Sequence, residues 1–125
     1  MSTIMLIMQR KAIVQALIKM FKNNPDIEII YESNYYNADS AISTYGVNTV
    51  LLEAAESGPY DMDYCLALCK VIRKNTPDCK LLLISSEQDE KSVEKVVAAK
   101  GTKQIDDFVF YDVTIDYLAS KLISI

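Results

Sequence analysis

"NTVLLEAAESG", residues 48–58, is the stretch on which the reading of the fold turns. Val50, Leu51 and Leu52 run into the carboxylate Glu53 and then break into a small-residue turn. A short, continuous apolar run closed by turn residues is the pattern of a strand buried on both faces, as in a parallel sheet. The acid at its carboxyl end is either an active-site group or the place where one used to stand.

Working outward, the pattern recurs. "TIMLIM" (3–8), the β-branched "IEIIYES" (27–33), "CKLLLISS" (79–86) and "IDDFVFYD" (105–112) read as four further strands. Helical spacing fills the gaps. In "KAIVQALIKMFKNN" the expected inward stripe is Ile13, Leu17, Met20 and Phe21, and Pro25 ends the helix because it disfavours helical geometry at Asn24. "NADSAISTYG" (37–46) places Ala38, Ala41, Ile42 and Tyr45 on one face, with Gly46 as the stop. Asp61 is positioned to cap a helix with Cys65, Leu68, Cys69 and Ile72 inward, ending before Pro77. Ser86 and Asp89 form a plausible N-cap pairing for the next helix, whose stripe is Val93, Val96 and Val97. "VTIDYLASKLISI" closes the chain with Ile115, Leu118, Ala119 and Leu122 inward.

Strands and helices therefore alternate strictly, five of each. Right-handed crossovers between apolar strands imply a parallel sheet covered on both faces. The expected architecture is α/β, a flavodoxin-like doubly wound (βα)5 three-layer sandwich with strand order 2-1-3-4-5. One domain spans residues 1–125, with no linker, repeat or low-complexity stretch.

Composition narrows the function classes. Half the 125 residues are hydrophobic and the net charge is −4, which argues against direct nucleic-acid binding and against a membrane-surface role. The apolar runs are too short to span a bilayer, and "MSTIMLIMQRK" lacks a basic n-region and a cleavage site, so a cytoplasmic location is expected. With no His, the usual general base and every Ser-His or Cys-His pairing are missing. Three Cys (Cys65, Cys69, Cys79) make a poor zinc site and read as reduced core residues, so no metal site is expected from them. None of the three glycines, Gly46, Gly58 and Gly101, sits in a phosphate-cradling loop.

Ligands of doubly wound sheets sit outside the carboxyl ends of the strands. Those ends are Met8-Gln9-Arg10, Glu53-Ala54-Ala55, Ser85-Ser86 and Tyr111-Asp112. At this point the chain resembles a bacterial two-component response-regulator receiver domain (CheY-like). "IMLIMQRKAIVQALIKMF" is similar to that family's opening strand and helix. "NTVLLE" resembles the phospho-acceptor strand, "LLLISSEQDE" the fourth strand and its loop, and "IDDFVFYD" the fifth strand. The resemblance covers nearly the whole chain and rests on the order and spacing of the motifs.

The resemblance implies a site and at the same time a defect in it. Such domains use an acceptor Asp, an acid pair that holds Mg²⁺ with it, a hydroxyl after strand 4 and a Lys after strand 5. Here the acceptor position is Glu53 and the acid pair falls on Gln9 and Arg10. The hydroxyl is kept as Ser85, the Lys falls on Tyr111 with Asp112 in place of the following Pro, and the switch aromatic falls on Phe108. A cation where an acid is required disfavours a divalent metal, so Mg²⁺ binding is expected to be weak or absent and no cofactor is expected. Two arrangements of these residues stay open. Arg10 and Glu53 form an internal ion pair with Ser85 bonding the carboxylate, or they are separately solvated loop residues.

Two more groups of residues stand out. Tyr35, Tyr36, Tyr60 and Tyr64 flank the expected mouth, as loop packing or as a stacking platform. Lys91, Glu94, Lys95, Asp106, Asp107, Asp116 and Lys121 fall on helix 4, strand 5 and helix 5, where the resemblance implies a dimer face; the alternative is a solvated face. The functional expectation is a non-enzymatic pseudo-receiver: a phosphorylation-independent signalling or protein-interaction module that binds a protein partner or itself. The alternatives are a phospho-accepting receiver of a transcriptional regulator whose DNA-binding domain lies outside this chain, and a small cofactor binder, for which no Gly-rich loop or convergent polar set is found.

Overall fold

Leu- and Ile-rich runs form five strands: β1 (Ser2–Ile7), β2 (Ile27–Tyr31), β3 (Thr49–Glu53), β4 (Lys80–Ser85) and β5 (Asp107–Phe110). The structure, a computed structural model, describes all residues from Met1 to Ile125. The strands pair in parallel in the order β2-β1-β3-β4-β5. This is the expected doubly wound arrangement. Five α-helices connect or follow the strands: α1 (Lys11–Phe21), α2 (Ala38–Tyr45), α3 (Met62–Asn75), α4 (Glu90–Gly101) and α5 (Ile115–Ser124).

The period of two along each strand divides the core into two layers. Met5, Ile7, Val50, Leu52, Leu81 and Leu83 face α2, α3 and α4. Ile4, Leu6, Leu51, Leu82, Ile84 and Val109 face α1 and α5. Leu6, Leu51 and Leu82 are register partners across the central strands, and all three are fully buried. Each such leucine contributes about 1.5–3 kcal/mol by leaving water. No helix is long and apolar enough to cross a membrane.

Local chemistry sets the helix ends. Asp61, Asp89 and Thr114 accept the backbone N–H of Tyr64, Lys91 and Tyr117, each capping its helix. Gly46 stops α2 in the left-handed region at φ 62°, where a side chain would be strained. Only α1 begins without a side-chain cap of its own and without an acid in its first turn.

Several expected details are corrected. In α1, Val14 turns inward, while Met20 is 43% exposed. Tyr45 and Val97 also point to solvent, and Ala99 takes the inward position on α4. On each of these helices only part of the stripe faces the sheet, and the neighbouring helices leave its flank open. Asp89 caps α4 alone, whereas the Ser86 hydroxyl accepts the N–H of Gln88 within the preceding loop. β5 is shorter than its apolar run, because Asp106 and Tyr111 turn their side chains into polar contacts at its two ends. A 3-10 turn (Tyr35–Asn37) precedes α2.

Candidate functional site

β1, β3 and β5 all deliver their carboxyl ends to one edge of the sheet, and Glu53 sits at the centre. Its side chain is 3% exposed, yet each carboxylate oxygen is served by this chain. Oε1 accepts the backbone N–H of Gln9 at 2.7 Å and of Arg10 at 3.0 Å. Oε2 accepts the Tyr111 hydroxyl at 2.5 Å and lies 3.2 Å from Arg10 Nε. The carboxylate thus stands at the uncapped, positive end of α1, where a negative group is favoured. The extra methylene of Glu over Asp extends its reach toward the β1–α1 loop.

Arg10 and Tyr111 hold each other as well as Glu53. The guanidinium carbon lies 3.8 Å from the centre of the Tyr111 ring, a cation–π stack. Burial, and then the bond to Glu53, push the Tyr111 hydroxyl well above its ordinary pKa, so it stays protonated and remains a donor. The backbone of Glu53 is pinned too: the buried Tyr35 hydroxyl donates to its carbonyl at 2.7 Å, and Cys65 Sγ lies 3.5 Å from the same oxygen.

Of the two arrangements open from the sequence, the ion pair is the one present. Its expected third member is not. Ser85 makes no bond to Glu53; its hydroxyl is buried without a partner beside a cavity of about 10 Å³, room for one water. Tyr111 takes the role assigned to Ser85, because its longer side chain reaches over from β5. Arg10, Glu53 and Tyr111 border an open cleft of about 310 Å³ together with Gln9, Glu56 and Ser57. Phe108 lies away from it, packed on the α2–α3–α4 side of the core.

The four tyrosines pack on one another. Tyr35 stacks on Tyr60 at 4.1 Å and 3°, and Tyr36 and Tyr64 meet edge to face at 6.0 Å. Tyr35 is fully buried in this cluster, whereas Tyr36 is 71% exposed at its outer edge. The charged set on α4, β5 and α5 is also divided. Asp106 turns to the α3 side, accepting from Arg73 at 2.9 Å and from the Leu81 N–H at 2.7 Å. Asp107 is held by Lys100 and Lys121, and Lys95 pairs with Asp63 on α3 at 2.8 Å. Lys91, Glu94 and Asp116 are exposed and make no ion pair.

Solved structures with the same architecture identify it. A DNA-binding response regulator of the LuxR family from Staphylococcus aureus superposes with a TM-score of 0.75 at 21% identity, over 98% of this chain and 97% of that one. The N-terminal domain of the nisin resistance regulator NsrR, a lantibiotic response regulator, gives 0.76 at 21% identity, over 99% and 97%. The signal receiver domain of a Luxo repressor protein from Vibrio parahaemolyticus gives 0.77 at 13% identity, over 98% and 87%.

The fold is that of a receiver domain. No family model matches the sequence, and no curated protein does so at a significant level. At these identities the likeness to receivers is one of fold, and the site has to be judged on its own residues. Mg²⁺ takes about six oxygen ligands in an octahedral array, one or two of them usually free carboxylates and several of them waters. The chain has no group of three or more His, Cys, Asp or Glu placed to hold a metal. At the receiver pocket the one buried carboxylate is already bonded and a guanidinium stands beside it, so the donor set does not fit such a cation.

Two of the contacts to Glu53 had no signal in the sequence. The Gln9 and Arg10 amides belong to the backbone and leave no mark in residue identity. Tyr111 did leave one: a hydroxyl-bearing aromatic where the receiver pattern has a Lys, opposite a Glu where it has an Asp.

Proposed function

We propose that this chain is a receiver-fold signalling module that works by binding protein partners and does not run a phosphorylation cycle. The observation that carries the reading is the Glu53 carboxylate, whose two oxygens are occupied by Gln9, Arg10 and Tyr111 of the same chain. Metal entry would have to displace the Arg10 guanidinium and break the bond from Tyr111, while offering a hard cation a single carboxylate in exchange. The role is one of binding rather than catalysis, since the pocket holds no free nucleophile paired with a base.

The test is a titration of the protein with Mg²⁺ and then beryllofluoride, followed by amide NMR. No saturable shift at Gln9, Arg10, Glu53 and Ser85 at millimolar Mg²⁺ is expected. Saturable shifts converging on those residues would overturn the reading in favour of a phospho-accepting receiver.

A further inference from the structure

A groove of about 460 Å³ runs between α3 and α4. Its walls come from Asp63, Leu66, Ala67 and Lys70 on α3, and from Lys95, Ala98 and Ala99 on α4 with Thr102 just past its end. Both sets follow the spacing i, i+3, i+4, i+7, so each helix presents one continuous face to the gap. The groove exists because the central residues are alanines: Ala67 and Ala98 are too short to fill the space between helices whose lower halves pack on the sheet through Cys65, Cys69, Val96 and Ala99. Gln104 borders the far end, its side-chain amide donating to the Leu66 carbonyl at 2.8 Å. Just beyond it a second hollow of about 490 Å³ is bordered by Arg73, Lys100, Lys103, Ile105 and Asp106.

The charge around these two hollows is opposite to that of the whole protein. Residues 64–77 and 95–105 contain Lys70, Arg73, Lys74, Lys95, Lys100 and Lys103 and no acid at all. The protein has 13 cations and 17 acids, and every acid lies outside those two segments. The two acids that border the hollows are each engaged, Asp63 with Lys95 and Asp106 with Arg73. Lys70, Lys74 and Lys103 are exposed and make no ion pair.

We infer that the α3–α4 groove is a docking site for an acidic amphipathic helix of a protein partner. An apolar, alanine-floored trough accepts the larger apolar side chains of a third helix, and its rim of lysines pairs with that helix's carboxylates. A nucleic acid fits less well, because it would leave the apolar floor unused and meet a protein of net charge −4. The inference rests on reading the chain as an interaction module and names the surface that module uses. That surface meets the α4–β5–α5 face at Lys100, which borders the second hollow and is held by Asp107.

The experiment follows the full chain by amide NMR and by anisotropy. The probe is a synthetic peptide carrying Leu on one helical face and Glu on the other. A scrambled peptide of identical composition and an oligonucleotide of matched charge are run alongside. Saturable shifts confined to Leu66, Ala67, Ala98, Thr102 and Gln104, absent with the scrambled peptide, are the expected result. The Lys70→Glu, Lys103→Glu double variant should bind about tenfold more weakly, as expected for two reversed rim charges. Ala98→Leu, a helix-compatible change at an exposed position, should fill the trough and abolish the shifts while circular dichroism stays unchanged. No saturable shift, equal binding of the scrambled peptide, equal binding of the oligonucleotide, or undiminished binding by Ala98→Leu would each overturn the inference. The Mg²⁺ titration reads Gln9, Arg10, Glu53 and Ser85, none of which lines the groove, so failure here and failure of the proposed reading of the Glu53 pocket are told apart.

Discussion

Replacing Glu53 by Gln keeps the shape of the side chain and removes its charge, which makes Glu53→Gln the sharpest probe of the pocket. Four donors converge on two oxygens: the Gln9 and Arg10 amides on Oε1, the Tyr111 hydroxyl and Arg10 Nε on Oε2. A glutamine has one oxygen. Turned toward the amides, it keeps both bonds but makes them neutral, a loss of about 1 kcal/mol each. Its NH2 then faces Arg10, whose attraction is lost; with that side chain 54% exposed, the loss is worth at most about 1 kcal/mol. Tyr111 can turn its hydroxyl to accept instead. Against these losses stands the relief of no longer burying a charge. The expected net destabilisation is about 2 kcal/mol, a fall in Tm of about 6–8 °C for a chain of this size. Urea unfolding followed by circular dichroism and by the fluorescence of the eight tyrosines, in a chain without Trp, measures it. A loss below about 0.5 kcal/mol would mean that water serves these donors equally well. The convergence on Glu53 would then not hold the strand ends together, and the reasoning from saturated oxygens would fail.

Burial pushes the Cys69 thiol up to about 12 and the Cys79 thiol up to about 11, each against a smaller opposing pull from Arg73, and raises Cys65 further. All three should therefore resist a thiol reagent at neutral pH until the chain unfolds, and fast modification of the folded protein would contradict their placement. The same shifts cost stability as pH rises above the unfolded thiol range of about 8.5, since the unfolded chain ionises first. Asp107 behaves in the opposite way: burial opposes its ionisation, but the hydrogen bonds from Lys121 and Lys100 prevail and hold its pKa below the usual carboxylate range. Its contribution is therefore present above the unfolded value of about 3.9 and lost as pH falls through the folded one. Asp107→Asn should destabilise at neutral pH, and the gap to the parent should close on acidification below about pH 4; a gap independent of pH would refute this.

Element type and order were legible because a doubly buried strand leaves a short apolar run such as Leu81-Leu82-Leu83-Ile84, set between turn residues and helical stripes. Helix faces were read less well. A stripe rule assigns an inward side from spacing alone, but Met20 and Val97 sit at stripe positions that the neighbouring helices leave open. The pocket was legible as a set of positions and illegible as a set of bonds. Arg10 and Glu53 announced themselves as opposite charges at adjacent strand ends. That Tyr111, and not Ser85, completes the pair depends on side-chain reach across two strands, which no local pattern encodes. The pairings within the charged set on α4, β5 and α5 were illegible for a related reason. Asp106 and Asp107 are neighbours in sequence, so the alternation of a strand sends them to opposite sides, one to Arg73 and the other to Lys100 and Lys121.

A receiver switches because a ligand binds its two states unequally, and the size of the switch cannot exceed that difference in affinity. Under the proposed reading, the groups that occupy the Glu53 carboxylate are part of the chain and are present in every molecule at all times. Such an internal ligand sets the resting equilibrium but cannot vary it. Regulation then has to enter from a surface where an external partner distinguishes the states. The Glu53 hub joins β1, β3 and β5, while the Arg73–Asp106 and Lys95–Asp63 pairs join α3 to the start of β5 and to α4. A helix seated between α3 and α4 would bear on both of these pairs. It would thus act on the outer half of the α3–α4 gap, which the exposed Lys95–Asp63 pair spans above the packed core, and there a few kcal/mol of binding energy outweighs a contact worth about 0–1 kcal/mol.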